Sequence, residues 1–461
     1  MIAREMLDRF SKEGPVSVMV RGTLECILSD QRLDELFADN AKQQQPGKLM
    51  FSTVADLMGL VVLKIRPAVH AAYQIRAKEV SVSITSVYNK LNGIETAVSR
   101  ALVRDTAPDM ADVIDAMKDS VPRQLLPGYR TRIVDGNHLA STQRRLKELR
   151  TEGAVPLPGH TLPVLDPDRR LIVDMIPCED GHAQERTLFP ELLETVEPGD
   201  AWVGDRNFCT LHMLFAISLD RRSHFVIRHH ASNVPAWEVV GRRKKVGRVE
   251  NGTLYEQTIK LSSKDGRQLQ LRRISIKLDQ PTRHGDSEVH ILTNLPKRVT
   301  SKKISDVYRQ RWKIENAFQE MAVALEGEVE TLGYPKAALF AFSMALISFN
   351  VLSVVKAALS SVHGVDKVEE GVSTYFLVLE VSSMWQGMHI AIPDDCWTTE
   401  FAELTPAQLA RKLVRLAREV RMSTFRKHPR GPKKPPPKRK KAKLGAHVAT
   451  AKLIQKRKVT A

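Results

Sequence analysis

Apolar residues recur at helical spacing through "FSTVADLMGLVVLKI" and "SITSVYNKLNGIETAVSRAL", so residues 1–124 are predicted to be mainly helical. The second stretch breaks at Asn92-Gly93 between two helical patterns. A helix-turn-helix that binds DNA fits that break, and two packed helices with no DNA contact fit it nearly as well.

The texture changes after about residue 125. "YRTRIVDG" reads as a strand, "HTLPVLDP" and "RRLIVDMIP" as a hairpin joined near Asp166-Pro167-Asp168, and "QERTLFPELLETV" as a helix. "AWVGD" follows as a short buried strand, "TLHMLFAISLD" as a helix and "SHFVIRHH" as a strand. Three strands followed by alternating helix and strand predict an α/β domain of the ribonuclease-H-like kind over 125–360. Residues 231–290 interrupt it with basic, β-prone sequence, and Asn251-Gly252 and Asp265-Gly266 mark hairpin turns, so a β-rich antiparallel insertion is expected. "SEVHILTNLP" returns as a strand, and Ser305 is placed to cap one long helix running to about Glu326. Residues 361–420 read as helical.

Residues 337–355, "AALFAFSMALISFNVLSVV", are long enough for a membrane span. Ser343, Ser348, Asn350 and Ser353 interrupt them, and the reading is a buried core helix with no membrane partner.

Charge adds a partner. The chain carries a net +17, and residues 421–461 hold 15 Lys or Arg and no acid, which leaves +2 for residues 1–420. A segment such as "RKHPRGPKKPPPKRKKAK" lacks the apolar residues to fold alone and its prolines exclude a helix, so 421–461 is expected to be a disordered basic tail. A polyanion is its natural partner, with nucleic acid first. Cys26, Cys178, Cys209 and Cys396 form no Cys-x-x-Cys pair, which argues against a disulfide scaffold or structural zinc and for the cytoplasm. The N-terminal "MIAREMLDRFSKEG" has no apolar core of signal-peptide length.

Candidate chemistry comes from "SDVYRQRWKIENAFQEMAVALEG". With Tyr308 at zero, Val307, Ile314, Phe318, Met321 and Leu325 fall between roughly 220° and 280° and form a core stripe. Arg311 and Glu315 fall beside Tyr308, near roughly 300° and 340°. Taken alone, an Arg311–Glu315 pair on a solvated helix flank explains this equally well. Two aspartates that each follow a strand shift the balance: Asp135 in "RIVDGNHL" and Asp205 in "AWVGDRNFCT". Locally Asp135-Gly136 is an ordinary turn signal. Three carboxylates on one sheet and a neighbouring helix can nevertheless converge on Mg²⁺, a hard cation that prefers oxygen ligands.

"VDGNHL", "GDRNFC" and "YRQRWKIE", in this order, resemble the three signatures of DDE transposases of the insertion-sequence-4 type, whose hallmark is Tyr-x2-Arg-x3-Glu-x6-Lys. The resemblance covers roughly residues 125–355, β-rich insertion included. It implies a ribonuclease-H-like catalytic fold, with Asp135, Asp205 and Glu315 as catalytic metal ligands for Mg²⁺, for which Mn²⁺ can substitute. It implies that Tyr308 and Arg311 contact phosphates of the element's ends, and that the partners are terminal inverted repeats, target DNA and a second copy of the chain in a synaptic homodimer. The implied activity is metal-dependent end cleavage and strand transfer by a cytoplasmic, nucleoid-associated bacterial enzyme. A nuclease of the same fold without strand transfer, and a catalytically silent DNA-binding relative, remain as alternatives. The family lysine falls at position 322, where this chain has Ala322; Lys336, beyond Gly333-Tyr334-Pro335, is the candidate stand-in.

Several more residues are singled out. Lys244 and Lys245, with Arg242 and Arg243, form a basic turn suited to DNA phosphates or to a solvated hairpin tip. Trp237 lies in the insertion, where members of the family stack an aromatic on a flipped base, although core packing is the commoner role for such a residue. Trp312 is expected to pack. His138 has no second histidine placed to join it at a metal.

Overall fold

The computed structural model describes residues 2–44, 47–121, 124–143, 146–150, 154–282, 285–428 and 447–460. Seven helices open the chain: α1 (Ile2–Glu13), α2 (Pro15–Ile27), α3 (Asp30–Asn40), α4 (Phe51–Val62), α5 (Val69–Arg76), α6 (Ile84–Gly93) and α7 (Thr96–Asp115). The strands that follow are β1 (Arg130–Val134), β2 (Asn137–His138), β3 (Val155–Leu157), β4 (His160–Asp166) and β5 (Leu171–Cys178). After them come α8 (Phe189–Glu194), β6 (Asp200–Gly204), α9 (Leu211–Phe215) and β7 (His224–Arg228). The order predicted for 125–230 is therefore present, hairpin included: the Asp166 carboxylate closes the β4–β5 turn by accepting from the N–H groups of Asp168 and Arg169.

β5, β4, β1, β6 and β7 lie side by side, with β1, β6 and β7 parallel and β4 and β5 antiparallel to their neighbours. The insertion supplies β8 (Glu238–Val239), β9 (Lys244–Val249), β10 (Gly252–Ser262) and β11 (Gln268–Leu278), and the strand that returns after it is β12 (Glu288–Thr293). These are antiparallel hairpins as expected, with Gly266 at φ 82° in the β10–β11 turn. They do not form a separate sheet. β12 pairs with both β11 and β7, so the insertion extends the central sheet to eleven strands.

The long helix predicted after β12 is two helices, α10 (Ser301–Arg309) and α11 (Trp312–Ala324). Thr300, not Ser305, caps the first, its hydroxyl accepting from the Lys303 N–H, while Ser305 is buried inside the helix. Between them the Gln310 and Arg311 N–H groups bond back to the carbonyls of Val307 and Tyr308, a tightening to three-residue spacing. The core stripe survives the step: Val307, Ile314, Met321 and Leu325 are buried and Phe318 packs against them.

α12 (Pro335–His363) is the apolar stretch over 337–355, extended at both ends. It is long and apolar enough to cross a membrane, but the whole of its apolar window is buried in the protein. Its polar residues explain where it goes. Asn350 offers its carbonyl oxygen to the Ile172 N–H at 2.7 Å and its amide to the Ile172 carbonyl at 2.8 Å, and Ser353 donates to the Arg170 carbonyl. The helix thus satisfies backbone groups of β5, which in a helix facing lipid would be polar groups without a purpose.

α7 packs against α12 and β5 and buries Val98, Ala101, Leu102, Met110 and Ile114. Of the two helices that meet at Asn92-Gly93, α7 turns its apolar face inside and Arg100 on its flank is ion-paired with Asp174, a packing that fits either arrangement expected there. The chain continues with α13 (Val365–Gly371), α14 (Thr374–Ala391), α15 (Asp394–Trp397) and α16 (Pro406–Ala417), capped by a Thr405/Gln408 capping box.

The basic tail divides. Residues 429–446 lie outside the described residues. Beyond them β13 (His447–Ala449) pairs in parallel with β3, and α17 (Thr450–Thr460) follows, with Lys452 bonded to Asp180. Disorder to the C-terminus was expected; instead Val448 and Ala449 supply enough apolar surface to add a strand to β3.

Candidate active site

β1 and β2 pair with β4 in one continuous register, Ile133 with Leu165, Val134 with Val164, Asn137 with Thr161 and His138 with His160. Asp135 and Gly136 lie between them without leaving that register. No turn reverses the chain at Asp135-Gly136, contrary to the local expectation; the ladder is interrupted where Asp135 faces Pro163, a residue with no N–H to offer. The glycine has another reason to be there. A Cβ on Gly136 would overlap the Glu185 Oε1 atom.

β1 and β6 are parallel neighbours, with Ile133 opposite Val203. Two residues on, the same register sets Asp135 beside Asp205, at the carboxyl ends of adjacent strands. Asp205 caps a short 3₁₀ turn, Arg206–Phe208, its Oδ1 accepting from the Asn207 N–H at 2.7 Å. Glu315 sits in the first turn of α11. Arg311 joins the groups: one nitrogen, Nη1, lies 2.8 Å from Asp135 Oδ2 and 2.7 Å from Glu315 Oε1. Its side chain is 11% exposed and Asp135 17%, against 35% for Glu315. Tyr308, a turn earlier, hydrogen-bonds Arg311 and is held by burial above the ordinary range of a phenol.

The site carries more negative charge than Arg311 offsets. Burial pushes the Asp135 carboxyl up to about 7; Arg311 opposes the shift, and Asp205, Glu315 and Glu185 add to it. Glu185, just ahead of α8, accepts from the Asn207 side-chain amide at 3.3 Å and is itself raised, by burial and then by Asp205. The sequence reading missed Glu185, whose only signal is an acid opening the "ERTLFPELL" helix.

These carboxylates suit a divalent cation chemically, as oxygen donors at strand ends with an unbalanced negative charge. They do not already frame one: among the described residues no three His, Cys, Asp or Glu side chains are arranged to hold a metal. Arg311, between Asp135 and Glu315, occupies that position.

The other singled-out residues are spread more widely. Lys244 and Lys245 are exposed at the start of β9, and the β9–β10 turn is tied to α10 through Arg309 and Glu250. Trp237 is half-buried, with the Arg273 guanidinium 4.9 Å from its ring centre and His229 at its edge. Trp312, expected to pack, is 53% exposed and lies against Arg311, because the step before α11 turns it away from the core stripe. The His138 ring lies tilted against that of His160, their centres 5.2 Å apart. Ala322 is exposed on α11, and the charge near Lys336 is Glu95 at the start of α7. A cavity of about 1750 Å³ lies elsewhere, between α11 and the α13–α14 region, where Glu320 is already bonded to Lys356, Thr374 and Arg170.

Residues 160–349 match the family model of the transposase DDE domain. The match supports a DDE transposase, an enzyme that binds and processes DNA, and members of that class generally work with divalent metals. Asp205, Glu315, Arg311 and Tyr308 lie within the matched residues; Asp135 precedes them and joins the set through its register beside Asp205. No curated protein matches the chain.

Proposed function

We propose that this chain is a transposase of the insertion-sequence-4 type, with a ribonuclease-H-like core, that hydrolyses a phosphodiester at the ends of its own element and joins the freed 3′-hydroxyl to target DNA. The observation that carries the reading is the placement of Asp135 and Asp205 in register at the ends of adjacent parallel strands, with Glu315 linked to Asp135 through Arg311. The strand order β5-β4-β1-β6-β7 supports the fold assignment.

Asp135, Asp205 and Glu315 would hold Mg²⁺ or Mn²⁺. When bound, such ions polarise the attacking and departing oxygens of a phosphodiester. The chain's own residues do the rest. Arg311 orients and partly neutralises Asp135 and Glu315, and its guanidinium would be suited to a phosphate oxygen. Tyr308, bonded to Arg311, fixes where that guanidinium can point. Lys244, Lys245 and the basic residues from 421 onward supply sequence-independent attraction to DNA, with Trp237 at the base of the insertion as a further contact. Two copies of the chain would hold two element ends together. In this reading the protein works in the cytoplasm at the nucleoid, where its DNA lies.

The test is incubation with DNA bearing the element's own terminal repeats and Mg²⁺. Cleavage followed by joining is expected, and Asp135→Asn, Asp205→Asn and Glu315→Gln should each abolish cleavage while leaving the far-ultraviolet circular dichroism unchanged. Full cleavage by all three variants would falsify the site; cleavage without joining would reduce the enzyme to a nuclease.

A further inference from the structure

We infer that Glu185 is a fourth carboxylate of this site, a positioning residue that raises its affinity for a divalent cation. The inference rests on the reading of Asp135, Asp205 and Glu315 as the metal-binding set.

Two contacts place Glu185 there. Its Oε1 occupies the space that a side chain at position 136 would take, directly after Asp135. Its Oε2 accepts from the Asn207 amide, and the backbone N–H of that same residue is bonded to Asp205. The residue thus bridges the loops that follow β1 and β6 and presents an acid to both aspartates. Nothing in packing requires an acid there. A glutamine would make the same bond to Asn207 and fill the same space, so a purely structural role is met without the charge. Arg311 reaches two of the four carboxylates, and a divalent cation among them would offset the cost of gathering the fourth.

The arrangement also accounts for Gly136. Alanine at that position would push the Glu185 carboxylate away while leaving every carboxylate in the sequence, so Gly136→Ala and Glu185→Gln reach one result by different routes.

Mn²⁺ binding to the full chain without DNA, followed by calorimetry, gives a readout independent of turnover. Glu185→Gln should weaken Mn²⁺ binding about tenfold or more, the range seen when groups around a metal site are removed. It should also raise the melting temperature of the metal-free protein, because a like charge is gone, and reduce the rise that Mn²⁺ produces. Gly136→Ala should weaken Mn²⁺ similarly, with little further loss in the double variant. Asp135→Asn is the control that separates the two readings. If it weakens Mn²⁺ binding and Glu185→Gln does not, the role given to Glu185 is wrong and the site stands. If Asp135→Asn leaves Mn²⁺ binding unchanged, the site and the inference both fall.

Discussion

Arg311 reaches Asp135 and Glu315 through a single nitrogen, at 2.8 Å and 2.7 Å, and so ties the strand-end aspartate to the helix that carries the glutamate. Both partners of its shorter-range network are partly shielded from water, and removing one side leaves like charges facing each other. Arg311→Ala should therefore cost about 1–3 kcal/mol in the metal-free protein, below the full penalty of a wholly buried pair because Glu315 keeps solvent access. Thermal melts with and without Mn²⁺ check this: the ion should restore more stability to the variant than it adds to the parent. Equal shifts would show that Arg311 and the ion do not compete for the same charge.

The raised Asp135 carboxyl gives a signed pH dependence. Its folded pKa of about 7 lies above the 3.8 of the free group, so the folded chain binds more protons than the unfolded chain in the interval between. This group therefore contributes least to stability above pH 7, and stability from it returns as the pH falls from 7 towards 4. Asp135→Asn should raise the melting temperature relative to the parent at pH 8 and make little difference at pH 5, in the absence of divalent ions. A variant that is less stable than the parent at pH 8 would contradict the assignment.

Asn350 makes two bonds to the Ile172 backbone at a position with no solvent access. Asn350→Leu strands a buried N–H and a buried carbonyl, and should destabilise the protein by about 2–4 kcal/mol. Chemical denaturation measures the loss. An unchanged midpoint would mean that β5 finds other partners.

The β13–β3 pairing predicts that removing residues 447–461 uncovers β3 and frees Asp180 from Lys452. Hydrogen exchange should then rise at residues 155–157, while exchange in β4 and β6 stays at parental rates. Faster exchange throughout the sheet would show that the C-terminal segment supports the whole core.

Much of the fold was legible in the pattern of apolar positions. Strand-helix alternation over 125–230, the hairpins of the insertion and the core stripe of Val307, Ile314, Met321 and Leu325 each rest on a local period that the chain repeats wherever it goes. The candidate site was legible in part: Asp135, Asp205 and Glu315 stood out by position relative to strands and to a helix face. What the sequence left hidden depends on contacts between distant segments. The break at Gln310-Arg311 carries no glycine or proline, so no local signal marks it. Trp312 becomes exposed only because of that break. The apolar face of α7 was legible, but not that α12 and β5 are what cover it. Glu185 joins Asp135 across 50 residues of sequence, and the reason for Gly136 is the carboxylate that fills its missing Cβ. Local periodicity determined which segments become helices and strands, since that depends on neighbours along the chain. Which charges face one another was decided by tertiary packing, since only the sheet register and the docking of α11 and of the segment before α8 bring those residues together.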